Sequence, residues 1–300
     1  MVRRLIPILA TGLLSGCVIS LGDWPEGDWH GSDWHGAHER EVRQAMVEGF
    51  DGSGALRVET VNGNIAVTLS EGPPEVRAEI RAQTKERLEQ TVVLADTQVD
   101  GTLFVHVEWP GGERRSNEGC SFEIKVPGAN GVTLRTSNGV LTMEGLSGTA
   151  RLDSSNGSIT VRRHAGSLQA RTSNGSVKLR KVEGEVDARS SNGRIEVLDA
   201  AAAVSVHTSN GRLEIRLTPQ NAGPVNASTS NGSVELAIGA AFTGELRLDT
   251  SNGRVRFDGA PPAGLLSLDK TFAHLQFGEG GPASSVETSN GSIEVSLAGE

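Results

Sequence analysis

The side chains best suited to chemistry lie near the start of the chain. The glycine-rich stretch around them carries tryptophans at a spacing of five, carboxylates and imidazoles: Trp24, Trp29, Trp34, Asp28, Asp33, His30, His35 and His38. Imidazole and carboxylate groups together suit transition-metal ions, so metal capture is one hypothesis. The low-complexity composition is also typical of a flexible spacer whose tryptophan rings rest at a membrane interface. We predict the spacer, with no metal and no cofactor.

Cys17 lies in a different setting from the rest of the chain. It follows a positively charged start and an apolar run, Leu5–Leu14, that is too short to span a bilayer. The quartet Leu14-Ser15-Gly16-Cys17 resembles the lipobox of bacterial lipoproteins. The resemblance implies a signal peptide over residues 1–16, lipid attachment at Cys17 and, because Val18 follows, an outer-membrane location if the host has one. An ordinary secretory signal that is simply cleaved is the alternative.

The second cysteine and the composition exclude several classes of protein. Cys120 cannot form an intrachain disulfide if Cys17 is acylated, and no pattern typical of a catalytic thiol surrounds it. Glycine contributes 38 of 300 residues without recurring at every third position, which excludes a collagen-like chain. The net charge of −9 becomes −11 once removal of residues 1–16 takes away two arginines. With no large basic patch, we predict no nucleic-acid binding.

A repeated Asn-Gly pair dominates the remaining chain. The asparagines that share one frame are Asn62, Asn138, Asn156, Asn174, Asn192, Asn210, Asn231, Asn252 and Asn290. The five copies from Asn138 to Asn210 are spaced by 18 residues, the next two steps are 21, and the last is 38. The long last step indicates a degraded copy with Phe272-Ala273 at the Asn-Gly position. The repeat therefore has ten copies.

Each copy reads apolar-x-apolar-x-[T/S]-S-N-G-x-apolar-x-apolar, and this alternation predicts a short strand on each side of Asn-Gly. Of the forty apolar positions in ten copies, thirty-nine hold an apolar residue and the exception is Ser284. The strands could form an antiparallel meander with Asn-Gly hairpins, or a solenoid whose coils pair in parallel. Columns of identical residues favour the solenoid, because like side chains then stack at about 4.8 Å and bond along the stack.

The sequence thus predicts an all-β parallel β-solenoid, or β-helix, of about ten coils. It also predicts a structural turn ladder formed by Asn138, Asn156, Asn174, Asn192, Asn210, Asn231, Asn252 and Asn290. The predicted organisation is a signal peptide over 1–16, a lipidated tether over 17–53 and a solenoid domain over 54–298. Within the domain, residues 68–130 are expected to form irregular β-hairpin structure that continues or caps the first coils. A short helix is expected at Glu39–Glu48, and Ser284 with the polar tail is expected to cap the other end.

The S-N-G-x-V-x-V repeat behind a lipoprotein signal resembles a bacterial family of domains of unknown function described as "putative adhesin", related to head-GIN-type β-solenoids. The resemblance covers about Gly54 to Leu297. It implies the solenoid fold and a location in the cell envelope, and it supplies no catalytic motif.

The function expected from these patterns is that of a non-enzymatic, lipid-anchored envelope protein that acts as an adhesin or interaction scaffold. Its expected partners are the membrane, through the N-terminal lipid, and an envelope protein or glycan. One alternative is a polysaccharide-active solenoid enzyme, which would need a groove with converging acidic and basic side chains. Another is a purely structural spacer. No catalytic residue is predicted.

Overall fold

The computed structural model describes residues 16–18, 38–258 and 264–297, and the regular secondary structure of these residues is almost entirely β-strand. The first part contains β1 (Gly16–Val18), β2 (Glu39–Met46), β3 (Leu56–Glu59), β4 (Ile65–Leu69), β5 (Glu75–Ala82), α1 (Lys85–Gln90), β6 (Val92–Thr97), β7 (Leu103–Glu108), a 3₁₀ turn (Pro110–Gly112) and β8 (Gly119–Val126). Within the described residues, no helix is long and apolar enough to cross a membrane.

The central and last parts continue the strands at regular intervals. The central strands are β9 (Asn130–Thr136), β10 (Leu141–Glu144), β11 (Ser147–Ser154), β12 (Ile159–His164), β13 (Leu168–Thr172), β14 (Val177–Val182), β15 (Val186–Asn192), β16 (Ile195–Ala200), β17 (Val204–Asn210), β18 (Leu213–Leu217), β19 (Val225–Asn231) and β20 (Val234–Ile238). The last strands are β21 (Gly244–Thr250), β22 (Val255–Phe257), β23 (Leu265–Leu268), β24 (Phe272–Phe277), β25 (Ser284–Asn290) and β26 (Ile293–Leu297).

These strands form two long sheets. Sheet A has the order β1-β6-β7-β3-β9-β11-β13-β15-β17-β19-β25-β21-β24-β23, and sheet B has the order β2-β5-β8-β4-β10-β12-β14-β16-β18-β20-β26-β22. Each of the nine copies that contain Asn-Gly supplies its strand before this pair to sheet A and its strand after it to sheet B. Equivalent positions pair in parallel, as Leu152 does with Ala170 and Ala170 with Ala188. The predicted parallel β-solenoid is confirmed, and the meander is wrong.

The core lies between the two sheets and contains the inward half of each strand. The alternating residues point inward in every regular coil, so that Leu152, Ala170, Ile159 and Val177 are all buried. One coil buries about four such side chains, worth roughly 6–10 kcal/mol, which is less than the cost of ordering its backbone. The coils are therefore stable only when they are stacked.

The last copy of the repeat is out of sequence order. Strand β25 lies between β19 and β21, and β26 lies between β20 and β22, so the final coil is inserted between two earlier ones. Ser284 is buried there, and its hydroxyl oxygen accepts a 3.0 Å hydrogen bond from the Val225 N–H. The prediction that Ser284 lies at the end of the rod is wrong, because β25 pairs with β19 on one side and β21 on the other. Residues 298–300 of the polar tail lie outside the described residues.

The degraded copy does not form a coil. Strand β24 pairs antiparallel with β21, and β23 pairs antiparallel with β24, which makes a hairpin at the end of sheet A. Its two apolar positions before the turn are exposed, with Leu266 at 62% and Leu268 at 49% relative accessibility. Nine Asn-Gly copies therefore form coils, rather than ten. A further turn without the motif comes from β7 and β8, which pair in parallel with β3 and β4.

Antiparallel strands close the other end of the rod. Strands β5 and β2 extend sheet B beyond β8, and β6 and β1 extend sheet A beyond β7. The helix expected at Glu39–Glu48 is wrong, since most of that segment is strand β2. Its inward Arg43 is buried and donates a 2.8 Å hydrogen bond to the Leu88 carbonyl of α1. Val47 and Phe50 belong to the core, so the folded domain begins before residue 54.

Candidate functional site: a cleft beside the asparagine ladder

The structure places the predicted ladder asparagines in one line at the corner between the two sheets. Along the line the order is Asn62, Asn138, Asn156, Asn174, Asn192, Asn210, Asn231, Asn290 and Asn252, and each side-chain amide donates to the Oδ1 of the asparagine before it at 2.7–3.0 Å. Asn62 ends the line by donating to the Glu118 carbonyl at 3.0 Å. The bonds all run in one direction, so the amide dipoles are aligned.

Two further columns support this corner. The hydroxyls just inside it each donate to a main-chain carbonyl of the neighbouring turn at 2.7–3.1 Å, and they belong to Thr60, Thr136, Ser154, Thr172, Ser190, Thr208, Thr229, Thr288 and Thr250. The Asn-Gly glycines stack so closely that a Cβ on Gly175 would lie 2.1 Å from the Gly157 carbonyl oxygen. The corner is rigid because its buried polar groups are satisfied and its backbones are in contact.

The opposite corner holds a left-handed column that the sequence analysis missed. Gly145, Arg163, Lys181 and Asp199 are spaced by 18 residues and have φ of 81°, 51°, 56° and 60°. Only Gly145 signals this conformation in the sequence, because residues other than glycine rarely adopt it. The column adds strain to the corner and brings no chemical groups together.

A cleft of about 680 Å³ opens at the N-terminal end of the rod, beside the asparagine ladder. Phe104, His106 and Trp109, from β7 and the turn after it, line one side. The other side consists of outward side chains from the first coils: Glu59, Arg135, Asp153, Arg171, Ser137, Ser155 and Ser173. The cleft thus forms where the irregular segment meets the regular face. We refer to it as the Trp109 cleft.

The aromatic side of the cleft is ordered by stacking. The rings of Phe104 and His106 lie 4.3 Å apart and are nearly parallel, with an angle of 14° between their planes. The Arg57 guanidinium carbon lies 4.8 Å from the centre of the Phe104 ring, within the range of a cation–π contact. Trp109 packs partly against the core and remains half-exposed. The sequence analysis does not single out Trp109, because a single tryptophan outside the repeat has no spacing that identifies it.

The charged side of the cleft is a network in which arginines share carboxylates. Glu59 lies 2.8 Å from Arg57 and 3.8 Å from Arg135, and Asp153 lies 3.6 Å from Arg135 and 2.8 Å from Arg151. On the next coils, Asp187 contacts both Arg171 and Arg189: Asp187–Arg171 is 3.4 Å and Asp187–Arg189 is 2.9 Å. Each carboxylate is thus shared by two arginines.

A buried ion pair holds the loop that borders the cleft. The Glu118 carboxylate accepts from Arg87 at 2.6 and 2.8 Å and from the Arg115 N–H at 2.8 Å, and its side chain is completely buried. Burial raises the pKa of Glu118, but the hydrogen bonds from Arg87 and from the Arg115 and Gln83 N–H groups outweigh it, so that the pKa falls to about 2. The loop that carries Arg114 is fixed by this contact, since Arg114 donates to the Glu118 carbonyl at 3.0 Å.

The remaining residues singled out from the sequence lie away from this cleft or outside the described residues. Cys17 lies in β1 opposite Ala95 of β6, where only its backbone is described. Cys120 is buried, and burial raises the pKa of its thiol, which does not suit a nucleophile. The tryptophans and histidines of 24–35 lie outside the described residues. Within the part of the chain that the structure describes, no cluster of three or more His, Cys, Asp or Glu residues could hold a metal ion.

Comparison with known proteins gives a family match and similar folds. A family model described as "Domain of unknown function (DUF7330)" matches residues 180–271. None of the curated proteins matches the chain. A "putative adhesin" from Bacteroides fragilis is 20% identical, with 86% of this chain and 97% of that chain covered and a TM-score of 0.49. A "putative adhesin" from Parabacteroides merdae is 13% identical, with 87% and 97% covered and a TM-score of 0.31.

These findings confirm the resemblance expected from the sequence, to a family of domains of unknown function and to proteins described as "putative adhesin". The family model covers the coils from β14 to the start of the β23–β24 hairpin. The Trp109 cleft lies outside the matched residues, so its role is argued from this chain alone.

Proposed function

We propose that the protein is a non-enzymatic, lipid-anchored protein of the bacterial cell envelope whose rod binds a glycan in the Trp109 cleft. The observation that carries the proposal is the cleft itself, where an aromatic side faces hydroxyl and charged groups across about 680 Å³. This volume lies in the range of pockets that hold small ligands, which combine aromatic walls with a few convergent polar groups.

The two sides of the cleft match the two kinds of surface on a sugar. A pyranose ring has an apolar C–H face, which packs against an aromatic ring such as that of Trp109. Its rim carries hydroxyls, which bind side chains that can donate or accept, such as Asp153, Arg135 and Ser155. A rigid floor keeps these groups in place before the ligand arrives, and this lowers the entropy cost of binding.

The lipid anchor is the second part of the proposal. Cys17 belongs to the strand at the N-terminal edge of sheet A, so a lipid there would hold the capped end of the rod towards the membrane. Nine coils at about 4.8 Å would then extend the rod roughly 40 Å from that end. Incorporation of a labelled fatty acid should occur in the wild type and in Cys120→Ser, and should be lost in Cys17→Ser. Equal labelling of Cys17→Ser would contradict the anchor.

Glycan binding is tested on the full-length chain carrying Cys17→Ser, with an array of envelope and plant glycans. Trp109→Leu keeps an apolar side chain against the core and removes the ring, so we expect about tenfold weaker binding or more. Thr142→Ala on the outer face of sheet B is the matched control and should bind normally. Equal binding by Trp109→Leu would place the ligand elsewhere, and no binding at all would favour the structural spacer.

The enzymatic alternative remains open because Glu59 and Asp153 line the same cleft. Against it, both carboxylates are engaged by arginines, whereas a general acid must reach the substrate. Incubation with the glycans that bind should leave their length unchanged. Chain cleavage that is lost in Asp153→Asn would overturn the non-enzymatic proposal.

A further inference from the structure

We infer that the ligand of the Trp109 cleft is an acidic glycan, one that carries carboxylate or phosphate groups. This inference rests on the proposed function, since it names the chemical class of the ligand at the same site. It follows from the charged side chains that line the cleft.

Arginines outnumber carboxylates among the side chains that line the cleft. Arg114, Arg135 and Arg171 line it together with Glu59 and Asp153. Outside the lining the charges on this face of sheet A are closer to balance. There Arg57, Arg151 and Arg189 share Glu59, Asp153 and Asp187 with the lining arginines, Asp96 is paired in register with Phe104, Glu108 lies 3.7 Å from His106, and Glu185 is at the edge remote from the ladder. The excess of arginine is therefore a property of the cleft itself.

Like charges are also stacked in register on this face. Arg171 and Arg189 occupy directly paired positions on the neighbouring parallel strands β13 and β15. Like charges opposite each other on adjacent strands destabilise a sheet unless an anion lies between them. Asp187 supplies one such anion, and its pKa is lowered because the hydrogen bonds from Arg189 and Gln169 outweigh the effect of burial. Because Asp187 is the one carboxylate between Arg171 and Arg189, these two guanidinium groups can bind a second anion.

The cleft contains guanidinium and imidazole groups that the described part of the chain does not satisfy. The Nε of Arg171 and the Nδ1 of His106 are buried atoms that lack a hydrogen-bond partner there. Arg114, which also lines the cleft, donates to the main-chain carbonyls of Arg115 and Glu118 and pairs with no carboxylate in the described residues. Carboxylate and phosphate oxygens are the acceptors that guanidinium groups bind most strongly, often through two parallel hydrogen bonds.

The outer face of sheet B carries charges of both signs. Glu196, Glu214, Glu235 and Glu294 occupy equivalent positions on four consecutive strands, and Lys178 and Arg256 stand in the same column on either side of them. Arg162 and Arg180 are also paired in register on this face, but neither of them lines the Trp109 cleft. Arg180 is therefore a matched arginine for testing the cleft.

The test compares three acidic glycans, galacturonan, alginate and hyaluronan, each with its carboxyl-reduced neutral counterpart. Binding to the full-length Cys17→Ser chain is measured by calorimetry. For at least one pair we expect the acidic member to bind about tenfold tighter at low salt, with most of the advantage lost at high salt because exposed charges are screened. Arg171→Gln and Arg114→Gln should each reduce the acidic-to-neutral ratio severalfold, while Arg180→Gln on sheet B should leave it unchanged.

The possible results distinguish failure of the acidic-ligand inference from failure of the proposed glycan binding. Equal binding of acidic and neutral members, or a ratio that Arg171→Gln and Arg114→Gln do not change, would overturn the acidic ligand and leave glycan binding intact. If neither member of any of the three pairs binds, both the acidic ligand and the proposed glycan binding are overturned.

Discussion

The central coils and the two ends of the rod are stabilised by different kinds of contact. From β9 to β20 each turn repeats the one before it, and the stabilising contacts recur as columns, such as the line of asparagine amides. At the ends the contacts occur once: Arg87 with Glu118 at one end, and the β23–β24 hairpin on β21 at the other. The repeated contacts build a stiff support, whereas the cleft forms at the N-terminal end, where the contacts are not repeated.

The largest expected effect tests the close stacking of the centre. Gly175→Ala would place a Cβ 2.1 Å from the Gly157 carbonyl oxygen, and backbone on both sides prevents relief. We expect a loss of about 4 kcal/mol or more in the free energy of unfolding, measured by denaturant titration. Gly72→Ala, in a loop near the N-terminal end where the nearest atom is 3.8 Å away, is the control and should change it by less than about 1 kcal/mol. Similar losses of stability in Gly175→Ala and Gly72→Ala would contradict the idea that close stacking distinguishes the central coils.

The next effect tests the unrepeated contact of the N-terminal end. Glu118→Gln leaves Arg87 without its buried carboxylate partner, so we expect a loss of about 3 kcal/mol. Glu123→Gln removes the exposed ion pair with Arg77 at 3.4 Å and should cost less than about 1 kcal/mol. Equal losses of stability in the two variants would show that burial does not make the Arg87–Glu118 ion pair more stabilising than the exposed Arg77–Glu123 pair.

The same carboxyl predicts a pH dependence. Because the pKa of Glu118 in the folded protein is about 2, below its ordinary value of 4.5, the stabilisation is complete above about pH 4.5 and is lost as the pH falls towards 2. Thermal unfolding between pH 6 and 2 should therefore show a smaller acid destabilisation in Glu118→Gln than in the wild type. Parallel curves for the two proteins would contradict the lowered pKa.

A smaller effect is expected within the buried hydroxyl column. Thr172→Val keeps the shape of the side chain but removes the 2.9 Å hydrogen bond to the Gly157 carbonyl, which should cost about 1–2 kcal/mol. Thr160→Val, on the outer face of sheet B, should change stability by no more than about 0.5 kcal/mol. Denaturant midpoints of the two variants check this, and an unchanged Thr172→Val would mean that the column is not a source of stability.

The smallest effect is a gain. Lys181 has a φ of 56°, so Lys181→Gly should relieve backbone strain and raise stability by about 1 kcal/mol. Lys178→Gly, in the interior of β14, should instead lower it by about 0.5–1 kcal/mol, because glycine weakens a strand. Opposite signs in thermal unfolding would confirm that Lys181 carries backbone strain that is absent at Lys178.

Much of the centre could be predicted from the sequence because its information is local and repeated. The alternation around Asn156 or Asn174 gives two strands, and identical residues 18 positions apart indicate parallel stacking. The order of the coils could not be predicted, because β25 presents the same pairing groups wherever it stacks, and only contacts such as Ser284 with Val225 distinguish one place from another. The left-handed Lys181 leaves no signal, since lysine rarely adopts that conformation, and a single Asp199 is too common a residue to mark the column.

The cleft was missed for a related reason. Trp109, His106 and Arg114 lie in the segment where the repeat lapses, and their proximity to Arg135 and Arg171 depends on β7 stacking beside β3. Sequence reasoning could predict β-hairpin structure over residues 68–130 that continues or caps the first coils, but not which side chains it would place over them.

The inserted final coil sets the order in which the protein can be completed. A ribosome makes β21 and β22 well before β25 and β26, yet the later pair must enter between the earlier strands and β19 and β20. The distal part of the rod can reach its native arrangement only after β26, which ends at Leu297, has been synthesised. A chain that lacks β25 and β26 is missing an internal layer, so β19 and β21 would each lose a strand that they pair with.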